Sequence, residues 1–406
     1  MKYLVILADG MADYTVPELN GKTPLECGNK PNMDQLARLG EVGLVRTVPP
    51  GMPPGSDVAN LAVMGYDPHQ FYTGRSPLEA VSIGVDLESG DVAFRCNLVT
   101  LSDHPVYEEK VMVDYSSDEI TTSESGELLK SLARELNSEE FNFYAGISYR
   151  HLLVWHGGPM DTGLTPPHDI SDRPITTFLP KGNGASELLA LMKKSQEILN
   201  NHPVNQNRIT RGLRPANSIW LWGQGKKPNL VHFYERFGLH GSVISAVDLA
   251  KGIGICAGLK VIEVPGATGN VHTNFKGKAQ AALDALREGQ DFVYVHIEAP
   301  DEAGHRGEIE NKIKAIEKID AEILGTILKE LPQITPEFKI MVLPDHPTPL
   351  TLRTHVADPV PFVIYQNGQP ASEHSVARFD EKSAAGTGVF VDEGHQLMER
   401  FLRCGM

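Results

Sequence analysis

Three aspartates and three histidines of this chain stand beside the ends of short apolar segments. Each segment, beginning with YLVILA at residues 3–8, has the length and composition of a buried strand. Ligands of open α/β sheets bind beyond the carboxyl ends of the strands, so we expect these side chains to converge on one edge. The residues are Asp9, Asp301, His305, Asp345, His346 and His355.

A converging set of carboxylates and imidazoles predicts a site for two divalent cations. Three carboxylates and the alkoxide of one serine, Ser56, would carry four negative charges, which two divalent cations balance. Without a metal, the carboxylates would repel one another in a partly dry site. Mixed nitrogen and oxygen donors favour Mn²⁺, Zn²⁺ or Fe²⁺ over Mg²⁺, and we predict Mn²⁺. Any one of these motifs alone is more typical of an ordinary turn, so the prediction depends on their recurrence.

Ser56 is the predicted nucleophile. It lies in the segment GMPPGSDVAN (51–60), where a Pro/Gly turn leads into an apolar stretch. We therefore place it at a helix N-terminus, whose N–H groups and dipole would stabilise an alkoxide or an attached phosphoryl group. A bound metal would lower the pKa of its hydroxyl. Taken alone, the segment is more typical of an ordinary N-cap serine.

Alternating strand-like and helix-like segments predict how these residues are positioned. Continuous apolar runs indicate strands buried on both faces, and longer amphipathic stretches between them indicate helices. This alternation predicts an α/β fold, with a mainly parallel sheet covered by helices on both faces. The predicted strands are 3–8, 292–297, 340–343 and 360–365, and the predicted helices are 31–39, 276–288 and 308–330.

The middle of the chain differs in composition from both ends. Between residues 91 and 214 the strand-like segments are shorter and more polar, and prolines interrupt them. The apolar alternation returns at 217–223 (NSIWLWG). We therefore predict a metal-binding core domain made of residues 1–90 plus 215–406, and a smaller inserted α/β domain of residues 91–214.

The composition indicates a globular protein of a reducing compartment. The 406 residues, 41% of them hydrophobic, suffice for one large core or two. A formal net charge of −15 argues against nucleic acid or an anionic membrane as the main partner. The first apolar run is too short for a signal peptide or a membrane span, so we expect a cytoplasmic protein. Its cysteines are widely spaced and have no predicted role: Cys27, Cys96, Cys256 and Cys404.

Several segments together resemble the archaeal-type branch of the cofactor-independent phosphoglycerate mutases, within the alkaline phosphatase superfamily. The N-terminal part carries LNGKTPLECGNKPNMDQLARLG, PPGSDVANLAVMGYDP and GRSPLEA (74–80). The C-terminal part carries APDEAGH (299–305) and PDHPTP (344–349), which match the metal motifs of the superfamily. The resemblance extends through nearly the whole chain and is weakest in the insert.

The resemblance implies a ligand set and a reaction. One metal would bind Asp301, His305 and His355, and the other Asp9, Ser56, Asp345 and His346. Ser56 would accept the phosphoryl group of 3-phosphoglycerate, glycerate would reorient, and the group would return to the 2-hydroxyl. This is the mutase reaction of glycolysis and gluconeogenesis, without bisphosphoglycerate as a cofactor. The expected partner is a small anionic phosphorylated substrate, and a homo-oligomer is left open.

The inserted domain is expected to clamp that substrate with basic side chains. Planar guanidinium groups suit bidentate binding of carboxylate or phosphate. Asp169 could exchange protons with the substrate hydroxyls, and Lys278 could reach the phosphate from the core. Each of these residues taken singly is more typical of solvated surface. The predicted substrate-binding residues are Arg150, His168, Arg173, Arg208, Arg211, Arg214 and Lys278.

Three other functions remain open at the level of sequence. A kinase of the same fold, such as the proposed homoserine kinases, is one, although Gly21-Lys22-Thr23 lacks the context of a P-loop. A metal-dependent phosphatase or phosphodiesterase, in which water attacks the phosphoserine, is another. A protein that only binds metal and a phosphorylated ligand is the third, and a serine nucleophile argues against it.

Overall fold

The computed structural model describes residues 1–403, and Cys404 lies outside the described residues. Strands and helices are numbered in chain order within that range. The strands are β1 (Lys2–Ala8), β2 (Glu41–Val45), β3 (Val92–Leu101), β4 (Met112–Asp114), β5 (Phe141–Tyr144), β6 (Arg150–Trp155), β7 (Ser218–Gly225), β8 (Gly241–Ile244), β9 (Lys260–Val261), β10 (Phe292–Ile297), β11 (Phe338–Leu343), β12 (Val360–Gln366) and β13 (Phe390–Val391).

Helices separate most of these strands. Within residues 1–403, no helix combines the length and the apolarity needed to cross a membrane. The helices are α1 (Pro24–Cys27), α2 (Pro31–Leu39), α3 (Ser56–Val63), α4 (Pro68–Phe71), α5 (Ser76–Ser82), α6 (Thr122–Leu136), α7 (Ala185–Leu199), α8 (Pro203–Thr210), α9 (Phe233–Phe237), α10 (Asp248–Cys256), α11 (Phe275–Arg287), α12 (Ala299–Arg306), α13 (Ile309–Lys318), α14 (Gly325–Ile334), α15 (Glu381–Gly386) and α16 (Gln396–Leu402).

The first of two compact units contains residues 1–72 and the described residues from 229 onward. Its sheet has the strand order β13-β2-β12-β11-β1-β10-β8-β9. Strand β1 lies at its centre and pairs in parallel with β10 and β11. Every residue of β10 and β11 is buried, so both faces of the central strands are covered. This confirms the predicted α/β architecture and its central strands.

Strand β12 departs from the parallel arrangement. It pairs antiparallel with both β11 and β2. An antiparallel strand begins at the edge where its parallel neighbours end. For this reason His355, which precedes β12, reaches the same edge of the sheet as residues that follow β1, β10 and β11.

The second compact unit, Thr73–Pro228, is built on an antiparallel sheet. Its strand order is β4-β3-β6-β5, and β7 pairs with β3. The predicted boundaries of the insert, 91 and 214, therefore fall inside this unit. The apolar segment 217–223, assigned to the core from its composition, is strand β7 of the insert. It belongs there because its ladder partner is β3, and because α5 packs against both strands.

A partly buried carboxyl group lies beside the loop that follows β1. Glu381, the first residue of α15, accepts hydrogen bonds from the backbone N–H of Asp13 (3.1 Å) and from Thr23 Oγ1 (2.8 Å). Burial raises the pKa of the Glu381 carboxyl from 4.5 to about 7. Between these two values the folded state retains a proton that the unfolded chain releases. Glu381 therefore lowers the stability of the fold as the pH rises from 4.5 to about 7.

Glu381→Gln should stabilise the first unit above pH 7 and leave its stability unchanged below pH 4.5. The amide stays neutral, so the cost of ionising a buried carboxyl disappears, and its oxygen and N–H groups can keep both hydrogen bonds. We expect a gain of about 1–3 kcal/mol at pH 8. Urea denaturation at pH 4 and pH 8 measures it, with the exposed Glu18→Gln as control. A gain of equal size at both pH values would contradict the argument.

Candidate active site

The carboxyl ends of β1, β10 and β11 bring the predicted aspartates together. Asp9 follows β1 directly, and Asp345 follows β11 by two residues. Gly10, which follows Asp9, has φ +62° and donates its N–H to Asp345 Oδ1 at 3.1 Å. A Cβ at this position would lie 2.6 Å from Asp301 Oδ1, so only glycine permits the approach of these segments.

Two groups of donor atoms in this cluster could each hold a cation. One consists of Asp301, His346 and His355, and the other of Asp9, Asp345 and His346. Within each group, the ligand atoms lie within 4.8 Å of one another. His346 belongs to both groups and is completely buried. The geometry therefore suits divalent cations, and the two candidate groups share this histidine.

Two further predicted ligands lie at the margins of these groups. His305 Nε2 is 2.8 Å from His355 Nε2 and 3.3 Å from Asp301 Oδ2. Ser56 Oγ is 3.1 Å from His346 Nε2. Ser56 is the first residue of α3, so the prediction of a helix N-terminus is confirmed. All seven predicted metal ligands thus lie in one cluster of the first unit.

The pKa shifts of the clustered aspartates indicate that this site favours bound positive charge. Burial, followed by repulsion from Asp345 and Asp301, raises the pKa of Asp9 well above its ordinary value. Burial alone would also raise the pKa of Asp301, but hydrogen bonds with His305 and His355 hold it well below its usual range. The hydrogen bond with Asp301 raises the pKa of His305 to about 9. Carboxylates so close together are favoured only when cations or protons stand between them.

The hydrogen bonds of Asp9 test whether a metal fits these residues. Its Oδ2 lies 3.0 Å from His296 Nε2, whereas its Oδ1 is buried and has no hydrogen-bond partner within residues 1–403. An unpaired buried carboxylate oxygen costs free energy unless a cation is bound to it. This oxygen lies 3.6 Å from His346 Nε2 and therefore points into the second donor group. The residues present fit a divalent cation.

Thr348 and Lys312 connect the segments that carry the ligands. Thr348 Oγ1 donates to Asp301 Oδ1 and lies 3.3 Å from His346 Nδ1. The Lys312 ammonium donates to the Thr348 carbonyl at 2.8 Å and to Asp13 Oδ2 at 2.6 Å. Neither residue was predicted from the sequence, although Thr348 lies within the quoted PDHPTP motif.

Three predicted substrate-binding arginines form ion pairs within the second unit. The Arg208 side chain is 2% exposed and donates to Glu124 and to two backbone carbonyls. Arg211 pairs with the same glutamate at 2.9 Å, and Arg214 Nη1 is 3.0 Å from Asp114 Oδ2. Arg208 is therefore a structural residue, because all three of its guanidinium nitrogens are already bonded. The other two guanidinium groups are half exposed and partly neutralised.

Arg150 and His168 belong to a different group, which also contains two arginines that sequence reasoning missed. Arg75 Nε and Arg95 Nε lie 2.8 and 3.1 Å from the two oxygens of Glu79. Burial alone would raise the pKa of Glu79, but Arg95, Arg75 and Arg150 hold it below its ordinary value. This group carries an excess of positive charge that suits an anion. Its signal in the sequence was the Arg-x-x-x-Glu spacing inside GRSPLEA.

Trp222 and His168 complete this group. The Arg95 guanidinium stands 4.6 Å from the centre of the Trp222 ring, and the His168 ring centre is 5.3 Å from the same ring. Burial, together with Arg95 and Arg75, lowers the pKa of His168. The imidazole therefore favours its neutral form, which can both donate and accept a hydrogen bond.

The remaining predicted residues occupy separate positions. Arg173 lies over the Phe178 ring at 4.5 Å. Asp169 is exposed, and its Oδ1 is 3.6 Å from His168 Nε2. Lys278 is completely buried in the first unit, where its ammonium donates to the His296 carbonyl at 2.7 Å. Burial lowers the pKa of Lys278 to about 8.

Comparisons with known proteins identify the family of this chain. The family model described as 2,3-bisphosphoglycerate-independent phosphoglycerate mutase matches residues 37–205. A probable 2,3-bisphosphoglycerate-independent phosphoglycerate mutase of Geobacter sulfurreducens is 54% identical over 402 residues, which cover 99% of this chain and 100% of the relative.

Solved structures show the same fold. A protein of Pyrococcus horikoshii aligns with a TM-score of 0.82 and 30% identity, covering 100% of this chain and 99% of that one. The cofactor-independent phosphoglycerate mutase of Thermoplasma acidophilum aligns with a TM-score of 0.65 and 27% identity, covering 99% of both chains. This chain therefore belongs to the family of 2,3-bisphosphoglycerate-independent phosphoglycerate mutases.

Proposed function

We propose that this protein interconverts 3-phosphoglycerate and 2-phosphoglycerate through a phosphoserine at Ser56. The observation that carries the proposal is the position of the Ser56 hydroxyl, at the start of α3 and 3.1 Å from His346 Nε2. A serine at this place has the helix N-terminus on one side and the carboxylate–histidine cluster on the other. The reaction belongs to glycolysis and gluconeogenesis, which we assign to the cytoplasm.

Two divalent cations, for which Mn²⁺ is our proposal, would complete the site. One would be held by Asp301, His305 and His355, and the other by Asp9, Ser56, Asp345 and His346. When bound, the cations lower the pKa of the serine hydroxyl and neutralise charge on the phosphoryl oxygens. Mixed imidazole and carboxylate donors support Mn²⁺ over Mg²⁺.

The chain's own residues account for the transfer. Ser56 Oγ forms a bond to phosphorus while the bond from phosphorus to the 3-oxygen breaks, and the serine proton is balanced by the one that the 3-oxygen gains. In the return step the 2-hydroxyl of glycerate loses its proton and attacks phosphorus, the bond from phosphorus to Ser56 Oγ breaks, and the serine oxygen gains a proton that balances the one lost. The N-terminal N–H groups of α3 stabilise the negative phosphoryl oxygens during both steps.

The second unit would supply recognition of the anionic substrate. Arg75 and Arg95 pair with one carboxylate, that of Glu79, and the charge of Arg150 also acts on it, so the group retains net positive charge. Guanidinium forks of this kind bind carboxylate and phosphate with two hydrogen bonds each. We propose this group, with neutral His168, as the anion-binding part of the second unit. Asp169 remains our candidate for proton exchange with the substrate hydroxyls.

The proposal is tested with purified protein, Mn²⁺ and 3-phosphoglycerate, without bisphosphoglycerate. Formation of 2-phosphoglycerate should be detectable through enolase, and it should require no nucleotide. Prior treatment with a chelator should abolish the activity, and added Mn²⁺ should restore it. The same preparation is also assayed for release of inorganic phosphate and for phosphorylation of homoserine by ATP.

The alternative readings make different predictions in this assay. A kinase of the same fold would phosphorylate homoserine only with ATP and would form no 2-phosphoglycerate. A phosphatase would release inorganic phosphate as its main product. Either result, in protein that binds Mn²⁺, would overturn the mutase proposal.

A further inference from the structure

Strand β10 is buried and mostly apolar, but it carries two polar side chains on one of its faces. Tyr294 and His296 are two residues apart and therefore point to the same side of the sheet. They are 0% and 1% exposed, although neighbouring positions hold valine and isoleucine. A buried hydroxyl or imidazole destabilises the fold when it lacks a hydrogen-bond partner. The partners of these two groups therefore indicate why the strand contains them.

His296 contacts Asp9 through one nitrogen and Ser245 through the other. Nε2 lies 3.0 Å from Asp9 Oδ2, and Nδ1 lies 3.2 Å from Ser245 Oγ. A neutral imidazole carries one N–H and accepts a hydrogen bond at its other nitrogen. An ionised Asp9 requires that N–H at Nε2, and the Ser245 hydroxyl can then donate to Nδ1.

This arrangement leaves one oxygen of Asp9 for a cation. His296 occupies Oδ2, whereas the buried Oδ1 has no hydrogen-bond partner within residues 1–403 and lies 3.6 Å from His346 Nε2. Asp9 is therefore presented through a single oxygen. A carboxylate held in this way has lost its rotational freedom before a metal binds.

Tyr294 is linked to another predicted ligand, Asp345, through Asn60. The tyrosine hydroxyl donates to Asn60 Oδ1 at 2.7 Å, and Asn60 Nδ2 donates to Asp345 Oδ2 at 2.9 Å and to the Ser56 carbonyl at 2.8 Å. The reversed amide orientation would place Oδ1 against a carboxylate and a carbonyl, which repel it. The tyrosine thus supports an orientation of Asn60 that joins the Ser56 turn to Asp345.

We propose that Tyr294 and His296 are positioning residues of one cation site, with His296 orienting Asp9 and Tyr294 orienting Asp345 and the Ser56 turn through Asn60. The proposal rests on the function proposed above, in which Asp9 and Asp345 hold the same cation. Neither residue touches the reacting atoms. Their effect is specific to one of the two sites, because within residues 1–403 neither of them forms a hydrogen bond with Asp301, His305 or His355.

Binding of Mn²⁺ to the metal-free protein tests this directly, without relying on catalysis. Calorimetric titration of the wild type should resolve two sites. Tyr294→Phe and His296→Phe should each weaken binding at one site by about 10–100-fold and leave the other within about threefold. His296→Gln should recover most of the lost affinity, because its amide nitrogen can take the place of Nε2.

Tyr66→Phe is the matched control. Tyr66 is also completely buried in the first unit, but its hydroxyl donates to the Val231 carbonyl at 2.8 Å, away from the ligands. It should lose a similar amount of stability and bind Mn²⁺ like the wild type. Thermal unfolding in chelator identifies any variant that fails to fold. If His296→Phe fails in this way, Tyr294→Phe and His296→Gln still test the proposal.

The outcomes distinguish a failure of the positioning roles from a failure of the proposed function. If the wild type binds two Mn²⁺ ions and the variants titrate like Tyr66→Phe, the positioning roles are wrong. Equal weakening at both sites would mean that the substitutions only loosen the fold, and this also overturns the proposal. A wild type that binds no Mn²⁺ would instead refute the proposed function on which it rests.

Discussion

Ser56→Ala should reduce the rate of phosphoryl transfer by at least about a thousandfold while leaving cation binding largely intact. The substitution removes the only atom that the proposed mechanism allows to form a covalent bond with phosphorus. Five of the seven proposed ligands are aspartates or histidines that do not contact this hydroxyl, so at least one cation should remain bound. The enolase-coupled assay measures the rate, and calorimetry measures the binding of Mn²⁺.

A second measurement distinguishes covalent catalysis from simple loss of a ligand. Wild-type protein quenched during turnover should contain a phosphopeptide that includes Ser56, and the alanine variant should contain none. Ser242→Ala is the control, because this buried serine on β8 has no hydrogen-bond partner for its hydroxyl within residues 1–403. It should retain full activity. An alanine variant at position 56 that keeps more than about a thousandth of the rate would refute a phosphoserine intermediate.

The central strands were predictable because they are buried on both faces. A continuous apolar run is required when helices cover both sides of a strand, and it appears in the sequence at 3–8 and 292–297. The direction of β12 was not predictable in this way. Parallel and antiparallel strands with both faces buried have the same composition, and only the pairing of β12 with β11 distinguishes them.

The boundary of the insert was misplaced for a related reason. Strand β7 has the apolar alternation of a core strand, but the core to which it belongs is that of the second unit, where it pairs with β3. Composition identifies a buried strand without identifying its sheet. Long-range pairing, which joins residues more than a hundred positions apart here, decides that question.

The metal ligands could be predicted because chemistry and topology coincide at strand ends. Asp9 and Asp345 each follow a strand, and the fold requires parallel strands to end at one edge. The roles of the arginines in the second unit could not be predicted from their positions along the sequence. Arg208 is buried because Glu124, from α6, reaches it, and Arg75 joins Arg95 only when α5 lies against β3. The partner of a basic side chain is set by tertiary contacts that the local sequence does not contain.

Lys312→Met should destabilise the first unit by about 3–5 kcal/mol, the largest effect on stability that we expect from a residue outside the cation ligands. The Lys312 and Asp13 side chains are both 0% exposed, and Nζ lies 2.6 Å from Asp13 Oδ2. The ammonium also donates to the carbonyls of Ala12 (3.3 Å) and Thr348 (2.8 Å). Methionine fills a similar volume but leaves the carboxylate and two carbonyls without this donor.

The measurement must report on the first unit. All three tryptophans of the chain, Trp155, Trp220 and Trp222, lie in the second unit, so their fluorescence does not serve. Hydrogen exchange of β1 and β11 during urea titration reports on the relevant sheet. The exposed Lys314→Met, on the same helix, is the control and should change stability by less than about 0.5 kcal/mol.

A double substitution separates the buried charge from the lost hydrogen bonds. Asp13→Asn in the Lys312→Met background removes the unpaired carboxylate, while the asparagine oxygen can still accept from the Leu350 N–H, which lies 3.2 Å from each oxygen of Asp13. Stability should therefore recover in part, and the double-mutant cycle should show a coupling between the two residues of at least about 1 kcal/mol. Additive effects would mean that Lys312 acts through the carbonyls of Ala12 and Thr348 alone. In that case the ammonium would hold the two ligand-bearing loops without help from the ion pair.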